Sequence, residues 1–223
     1  MSFIYEARLS DSPYVETITY SRTAGSGTTI RPAESHWHMV FVKYKSRIQS
    51  LVFGSLPTAG VVSYTEGAEI LWIKFKLGTF MPHLPARDFL NVETPLPGAA
   101  TNSFWLKGSA WQFPDFENAD IFINRLVRND LLVRDPVVKA ALQDQPQEVA
   151  SRTVRHRFLR ATGLTKSHIQ QIERAQRAAA LLRQGVPILD TVYEAGYFDQ
   201  PHLTRSLKQW VGHTPAQILL KSA

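Results

Sequence analysis

Residues 188–215 read ILDTVYEAGYFDQPHLTRSLKQWVGHTP, and this stretch decides the architecture of the C-terminal part of the chain. Ile188, Val192 and Ala195 recur at helical spacing and define one apolar face. Gly196 follows them, and glycine commonly ends a helix because it adopts the left-handed conformation without a Cβ penalty. The pattern predicts a short helix that ends in a tight turn.

A second helix is predicted immediately after this turn. Asp199 is a good N-cap, and Pro201 lies in the first turn, where its missing N–H is tolerated. Leu203, Leu207 and Trp210 then share a buried face. The side chains left facing outward are Gln200, His202, Thr204, Arg205 and Lys208. Amide, hydroxyl and guanidinium groups suit base edges and phosphates, so we expect a helix-turn-helix; an αα-hairpin with a solvated charged face also fits.

The stretch resembles the second DNA-binding element of AraC-type transcription regulators. The matching positions are Gly196-Tyr197, Asp199-Gln200, Arg205-x-x-Lys208 and Gly212-x-x-Pro215. Two positions depart from the usual pattern, with Val192 in place of a small Ala and Leu207 in place of Phe. Both replacements keep an apolar side chain.

Length and charge fit a two-domain DNA-binding protein. The chain has 223 residues, 44% of them apolar, which suits two modest domains. Residues 135–223 hold 12 Lys/Arg against 7 Asp/Glu, a net charge of +5, whereas the whole chain carries +6. There are no cysteines, no signal-peptide pattern and no stretch near the ~20 apolar residues of a membrane span. We expect a cytoplasmic protein without a membrane partner.

Residues 1–112 predict a β-rich domain. Glu69–Lys76 alternates, with Leu71, Ile73 and Phe75 on one face, which is typical of a half-buried strand. Similar strands are predicted at His38–Tyr44, Arg47–Phe53 and Val61–Tyr64. The expected fold class is α+β, with an antiparallel β sandwich or barrel of cupin-like type preceding an all-α domain. AraC-type regulators commonly carry such an N-terminal domain for effector binding or dimerisation.

A pair of histidines and several aromatic residues are the candidate binding groups of the β-rich domain. His36 and His38, at i and i+2, fit either a shared metal or ordinary hydrogen bonds. The full metal-ligand pattern of a cupin is missing, so we expect neither metal nor cofactor. The candidate effector-binding residues are His36, His38, Tyr44, Trp72 and Phe75. Plain core packing explains the aromatic residues equally well.

Residues 113–134 predict a connecting helix that Asp115 caps. Its apolar stripe consists of Phe116, Ala119, Phe122, Leu126 and Leu131. The stripe fits packing on its own domain or a homodimer interface. Residues Asp135-Pro136 mark the start of the next helix.

Residues 135–223 predict an all-α domain with two helix-turn-helix elements. Short helices are expected at Pro136–Gln143 and Ala150–Thr162, and a long helix runs from a cap at Thr165 to Arg183. The resemblance to AraC-type regulators extends over this whole region. It identifies the helix at Ala150–Thr162 as a first recognition helix, although the element is short, interrupted by proline and lacks a Ser/Thr cap at Ala150.

The resemblance implies that one chain enters two successive major grooves of double-stranded DNA, about 34 Å apart. The candidate DNA-binding residues outside the stretch 188–215 are Arg152, Thr153, Arg155, His156 and Lys166. Arginines pair with guanine, Gln200 pairs with adenine and Thr204 meets a thymine methyl, while Lys166 and Lys208 contact phosphates.

The sequence therefore predicts a sequence-specific transcription regulator, either an activator or a repressor, modulated by a small-molecule effector or by dimerisation. We expect no enzymatic activity. A DNA alkyl-transfer protein is excluded because its chemistry needs a cysteine thiolate. The alternatives are a cupin-like metal-dependent enzyme fused to a helical domain, and an architectural DNA binder without sequence preference.

Overall fold

The computed structural model of the protein describes residues 3–100, 102–143, 145–146 and 148–222. The chain forms two compact units. The first unit comprises Met1–Gly27, His36–Ser55 and Ser63–Thr165. The second unit comprises Thr28–Ser35, Leu56–Val62 and Lys166–Ala223. The second unit thus takes two segments from the N-terminal half, and the predicted division at residues 112 and 134 stays a prediction.

Twelve strands are described. They are β1 (Phe3–Leu9), β2 (Val15–Thr23), β3 (Gly27–Arg31), β4 (His38–Tyr44), β5 (Arg47–Phe53), β6 (Gly60–Tyr64), β7 (Glu69–Phe75), β8 (Thr79–Phe80), β9 (Glu93–Pro95), β10 (Ser103–Leu106), β11 (Ser109–Gln112) and β12 (Val133–Arg134). One sheet has the strand order β1-β2-β7-β4-β5-β9, with antiparallel neighbours. Three further pairs are β10 with β11, β8 with β12, and β3 with β6.

The alternation predicted for the central strands is present. In β7, Leu71, Ile73 and Phe75 are buried, and Phe41 of β4 lies opposite Leu71. Strands β4 and β5 have the predicted bounds. The N-terminal region is thus a β-rich antiparallel structure, while its sandwich or barrel form and its cupin-like character stay predictions.

Seven α-helices are described. They are α1 (Ala119–Arg128), α2 (Pro136–Leu142), α3 (Ser151–Thr162), α4 (Lys166–Arg183), α5 (Ile188–Glu194), α6 (Gln200–Trp210) and α7 (Pro215–Ser222). A short 3-10 helix spans Ala86–Phe89. None of the described helices is both long enough and apolar enough to cross a membrane.

Helix α1 is shorter than the predicted segment 113–134, and the cap prediction was wrong. The N-cap is Asn118, which makes no side-chain capping bond. Asp115 instead forms a reciprocal pair with Asn118: Asp115 Oδ1 accepts from the Asn118 N–H at 2.8 Å, and Asn118 Oδ1 accepts from the Asp115 N–H at 3.0 Å. These two bonds stabilise the turn that precedes the helix rather than its first turn.

Helix α2 starts as predicted. Asp135 Oδ1 accepts from the backbone N–H groups of Val137 and Val138, and Pro136 occupies the first helical position. Residues 143–150 separate α2 from α3 without a described helix. Positions 144 and 147 of this interval lie outside the described residues, and the first helix-turn-helix element stays a prediction.

Each unit has its own apolar core. In the first unit the stripe of α1 contributes Ala119, Phe122 and Leu126 to a core that includes Phe41 and Phe104. In the second unit the buried residues of α4 are Ile169, Ile172, Ala175, Ala178, Ala179 and Leu182. These six residues recur at helical spacing and form the buried face of α4.

Candidate nucleic-acid interface

Helices α5 and α6 meet at a tight turn in the second unit. Val192 and Ala195 are buried, as the spacing predicts. Gly196 has φ +70°, in the left-handed region that glycine adopts readily. The Tyr197 N–H then donates to the Val192 carbonyl at 2.8 Å. This closing bond satisfies an end carbonyl of α5 and sets the direction in which the chain enters α6.

The first turn of α6 is capped by Asp199. This residue has extended backbone angles, and its Oδ1 accepts from the His202 N–H at 2.6 Å. Pro201 lies within the same turn. The capping geometry fixes the start of the helix at Gln200. The polar side chains of the first two turns therefore project from a backbone of fixed position.

The polar side chains predicted for α6 differ in exposure. Gln200, Arg205 and Lys208 are exposed, whereas His202 and Thr204 are half-buried. The His202 ring stands edge-on to the Tyr197 ring, with centroids 5.1 Å apart. The opposite face buries Leu203, Leu207 and Trp210, together with Ser206. Helix α6 therefore presents one amide, one guanidinium and one ammonium group from a firmly packed support.

Tyr197 links the turn to both neighbouring helices. Its hydroxyl shares a 2.8 Å hydrogen bond with Ser206 Oγ of α6. The Arg174 guanidinium of α4 lies 4.6 Å from the Tyr197 ring centroid, and its Nη1 donates to the Gly196 carbonyl at 3.4 Å. This positioning role is not among the sequence-based predictions, although Gly196-Tyr197 belongs to the motifs that carry the resemblance.

The end of the second unit repeats the capping chemistry. Thr214 Oγ1 accepts from the Gln217 N–H at 3.3 Å, and Gln217 Oε1 accepts from the Thr214 N–H at 2.9 Å. This reciprocal pair is a capping box for α7. Helix α7 packs on α4, as α5 and α6 also do. The long helix α4 is therefore the common support of the unit.

Helix α3 also exposes polar side chains, but it belongs to the first unit. Arg152, Thr153, Arg155 and His156 are all exposed. The N-cap, Ala150, makes no side-chain capping bond. The helix ends as predicted at Gly163, which has φ +74°.

The inner side of α3 is held by three polar or cationic contacts within the first unit. Ser55 Oγ donates to the Thr162 carbonyl at 3.0 Å. The Arg157 guanidinium lies 3.6 Å from Asp135 Oδ1. The Arg160 guanidinium is 5.3 Å from the ring centroid of Phe80. The candidate DNA-binding residues of α3 thus lie in the first unit, whereas half-buried Lys166 and the α6 residues lie in the second.

The two histidines of the β-rich region have separate environments. His36 Nε2 lies 2.8 Å from Glu16 Oε2, and Lys74 Nζ lies 3.2 Å from Glu16 Oε1. The hydrogen bond with His36 is the main reason that the pKa of Glu16 falls to about 2, with Lys74 adding to it and burial opposing it. His38 is buried and meets the Trp72 ring edge-on at 5.6 Å. In the described part of the chain, no three His, Cys, Asp or Glu side chains are grouped for a metal.

Of the other candidate effector residues, Trp72 contacts His38, whereas Phe75 and Tyr44 have other neighbours. Phe75 is fully buried and stacks on Trp37 with centroids 4.0 Å apart. Tyr44 is 39% exposed, and Lys45 Nζ lies 5.3 Å from its ring centroid. Core packing accounts for Phe75, and the effector-binding role of the five residues stays a prediction.

A cleft of about 510 Å³ opens in the first unit at a different place. Its lining residues are Glu6, Tyr20, Phe41, Lys43, Ile48, Glu69, Leu71, Asn102, Gln112, Phe113, Pro114, Asp115, Phe116 and Glu117. The volume lies in the range of small-molecule sites. Lys43 and Glu69 pair across the rim at 3.1 Å. Strand alternation placed Leu71 on the inner face in advance, but nothing local in the sequence brings residues 112–117 to it.

Comparison with known proteins identifies the C-terminal region. Residues 148–220 match the family model of a helix-turn-helix domain, a range that covers α3 to α6 and most of α7. No curated protein matches the chain. No solved structure matches it either.

Proposed function

We propose that the protein is a DNA-binding regulator of AraC type, supported by the match of residues 148–220 to a helix-turn-helix domain, and that it recognises its DNA sequence principally through α6. The observation that carries this proposal is the exposed polar face of α6. The helix is capped at its start, and its opposite face is buried. Insertion into the major groove requires such a rigid helix with free polar side chains near its N-terminus. The family match gives the alternative of a metal-dependent enzyme no support.

The exposed groups of α6 match particular partners on DNA. Arg205 pairs with guanine O6 and N7 and Gln200 with adenine N6 and N7, each contributing about 1–3 kcal/mol of discrimination. Thr204 contacts a thymine methyl group. Lys208 contacts a phosphate and thus contributes affinity without base preference. His202, half-buried against Tyr197, supports the first turn rather than a base.

Helix α3 supplies a second, weaker contact in this proposal. Arg152 and Arg155 pair with guanine, Thr153 and His156 contact the same groove, and Lys166 binds a phosphate. All but Lys166 are exposed. The absence of a side-chain cap at Ala150 leaves the start of α3 less firmly held than that of α6.

Selection of bound fragments from random duplex DNA tests the proposal on the full-length protein. We expect the selected fragments to share one block of defined bases. Arg205→Ala should lose the base preference at a single position of this block. Arg128→Ala is the matched control, because Arg128 is an exposed arginine of α1 outside the matched domain. Equal recovery of all sequences would instead support an architectural DNA binder.

The cleft of the first unit is the proposed effector site. Its rim carries four carboxylates, those of Glu6, Glu69, Asp115 and Glu117, against the single ammonium of Lys43. Its inner wall is apolar, with Phe41, Leu71, Phe113 and Phe116 among the lining residues. An acidic rim on an otherwise basic chain favours a cation, and aromatic faces add cation–π attraction. The proposed effector class is therefore an organic cation with an apolar body.

Three small molecules of similar size separate the contribution of charge to binding from the contribution of apolar contact. Calorimetric titration should give the affinity order phenylethylammonium, then phenylethanol, then phenylacetate. Glu117→Gln removes one rim carboxylate. It should weaken the binding of phenylethylammonium and leave the affinities of the two other probes unchanged. Tighter binding of phenylacetate than of phenylethylammonium would contradict the cationic assignment.

A homodimer is the other proposed route to modulation. The apolar stripe of α1 packs inside the first unit, so a dimer through α1 has to use the opposite face. Ile121 on that face is 65% exposed. Light scattering over a hundredfold concentration range would detect the dimer, and Ile121→Glu should then shift the mass toward the monomer. A mass that Ile121→Glu leaves unchanged would rule out this face.

A further inference from the structure

Most of strand β3 and the first part of strand β6 belong to the N-terminal half by sequence and to the second unit by packing. The segments Thr28–Ser35 and Leu56–Val62 cluster with Lys166–Ala223. We call these two segments the ribbon. The helix-turn-helix match begins only at residue 148, so the ribbon lies outside the part of the chain that the family model describes.

The ribbon binds the C-terminal end of α6. The Ala33 N–H donates to the Trp210 carbonyl at 2.7 Å, and the Ala59 N–H donates to the Gln209 carbonyl at 2.9 Å. Both carbonyls belong to the last turn of α6, where a helix has no internal donor for its carbonyl groups. The ribbon thus supplies, from both of its segments, the backbone donors that finish the proposed recognition helix.

The same ribbon is bonded to α4. Gln176 Nε2 donates to the Ala33 carbonyl at 2.8 Å, and His168 Nε2 donates to the Pro57 carbonyl at 3.0 Å. The His168 ring also stands edge-on to the Trp210 ring, with centroids 4.8 Å apart. The ribbon therefore bridges the supporting helix α4 and the end of α6.

The packing between the ribbon and the end of α6 is close. Gly212 has φ +83°, and a Cβ at this position would lie 2.3 Å from Ile30 Cγ2 and 3.3 Å from Ala59 Cβ. A side chain at residue 212 would therefore push the ribbon away. Glycine is required here by both its conformation and its lack of a Cβ.

The ribbon leaves the proposed DNA-contacting side chains uncovered. Gln200, Arg205 and Lys208 are exposed while the ribbon is in place. Its backbone donors bind at the C-terminal end of α6, whereas the residues proposed to contact bases lie in the first two turns. The docked ribbon is therefore compatible with DNA binding.

We propose that the ribbon is a positioning element of the DNA-recognition unit, which holds the end of α6 against α4 and thereby sets DNA affinity. The inference rests on the proposed DNA-binding function and extends it to residues of the N-terminal half. The ribbon segments continue covalently into the first unit at residues 27, 36, 55 and 63. A change in the β-rich region can therefore reach α6 through the chain itself.

The first test removes one bond between the ribbon and α4. Gln176→Glu replaces the donor to the Ala33 carbonyl with a carboxylate that repels it. We expect specific DNA affinity to fall about fivefold, the effect of losing one partly buried hydrogen bond. Gln170→Glu makes the same charge change at an exposed position of α4 and should leave affinity near the wild-type value.

The second test locks the ribbon in place. The chain has no cysteine, so Ile30→Cys with Gly212→Cys creates a single possible disulfide. The Cβ of Ile30 lies 3.6 Å from the position of a Cβ at Gly212, within the range of disulfides. The reduced form of the same double variant controls for the strain at Gly212, because it carries both substitutions without the bond, and circular dichroism confirms folding.

The two tests combine into a rescue experiment on the full-length protein. In the Gln176→Glu background, oxidation of the cysteine pair should restore most of the lost affinity, and reduction should remove it again. Loss of binding on oxidation, or wild-type affinity in Gln176→Glu, would overturn the inference while the wild-type protein still prefers its selected site. A wild-type protein without any sequence preference would overturn the proposed function and the inference together.

Discussion

Helices α3 and α6 carry similar exposed side chains, but the chain holds them in different ways. Helix α6 begins at an Asp199 cap and is backed by residues that are fully buried, such as Leu203. Helix α3 begins after Ala150 without a side-chain cap. On the inner side of α3, Phe158 is buried, whereas Val154 and Leu159 are only half-buried.

The difference shows that exposed arginines alone do not define a recognition helix. Base recognition depends on holding side chains within a few tenths of an ångström, which requires fixed helix ends and a packed back face. Helix α6 has both, with the additional support of Tyr197 and Arg174. We therefore assign it the larger share of sequence recognition. Three pairs of variants compare α6 with α3, and a fourth compares Lys208 of α6 with Lys166 of α4.

The largest expected difference is in stability. Leu203→Ala empties a fully buried site and should lower the free energy of unfolding by about 3 kcal/mol, within the range for buried leucines. Leu159→Ala at a half-buried site of α3 should lower it by about half as much. Urea unfolding measures both values. Equal losses of unfolding free energy in the two variants would contradict the proposed difference in packing between α6 and α3.

The second difference is in base preference. Arg205→Ala should reduce affinity for the selected site by about 2 kcal/mol and relax one base position. Arg155→Ala, the matched arginine of α3, should have a smaller effect on the same DNA. Binding titrations on the selected site and on single-base variants measure both. If Arg155→Ala has the larger effect, the ranking of the two helices is reversed.

The third difference lies at the helix starts. Asp199→Ala should lower stability by about 1 kcal/mol because the His202 N–H loses its acceptor. Ala150→Ser should instead raise stability by about 0.5 kcal/mol, since Ala150 already has the non-helical angles of an N-cap, φ −56° and ψ 143°. Thermal unfolding compares the two variants with the wild type. A gain from Ala150→Ser as large as the loss from Asp199→Ala would be unexpected.

The smallest difference is electrostatic. Lys208→Ala should weaken binding to every DNA sequence alike and reduce the slope of log affinity against log salt by about 0.9. Lys166→Ala, at a half-buried position, should reduce the slope by less. Salt titrations with specific and unrelated duplexes measure the slopes. A loss restricted to one sequence would place Lys208 on a base instead of a phosphate.

Local patterns predicted much of the fold. Strands β4 and β5 have the predicted bounds because alternating side chains define them. Gly163, Gly196 and Asp199 end or begin helices as expected, since these signals are confined to a few neighbouring residues. The predicted helix-turn-helix character of the C-terminal region is confirmed by the match of residues 148–220 to the model of a helix-turn-helix domain.

Features that depend on distant residues escaped prediction. The backbone hydrogen bond from Ala33 to Trp210 joins two positions that no sequence periodicity relates. Sequence patterns therefore could not predict the ribbon. The cleft needs residues 112–117 to approach β4 and β7, which strand patterns do not specify. The prediction that Asp115 caps α1 was wrong because Asp115 accepts from the Asn118 N–H in the turn that precedes the helix. The site residues of α3 and α6 stay predictions until DNA binding is measured.

The most direct test of the principal role of α6 is fragment selection from random DNA with the full-length wild type, Arg205→Ala and Arg155→Ala in parallel. We predict a defined block of bases in the wild type, a loss of definition at one strongly selected position in Arg205→Ala, and a weaker change elsewhere in Arg155→Ala. A selected sequence that Arg205→Ala leaves intact would contradict the assignment of α6 as the principal recognition helix.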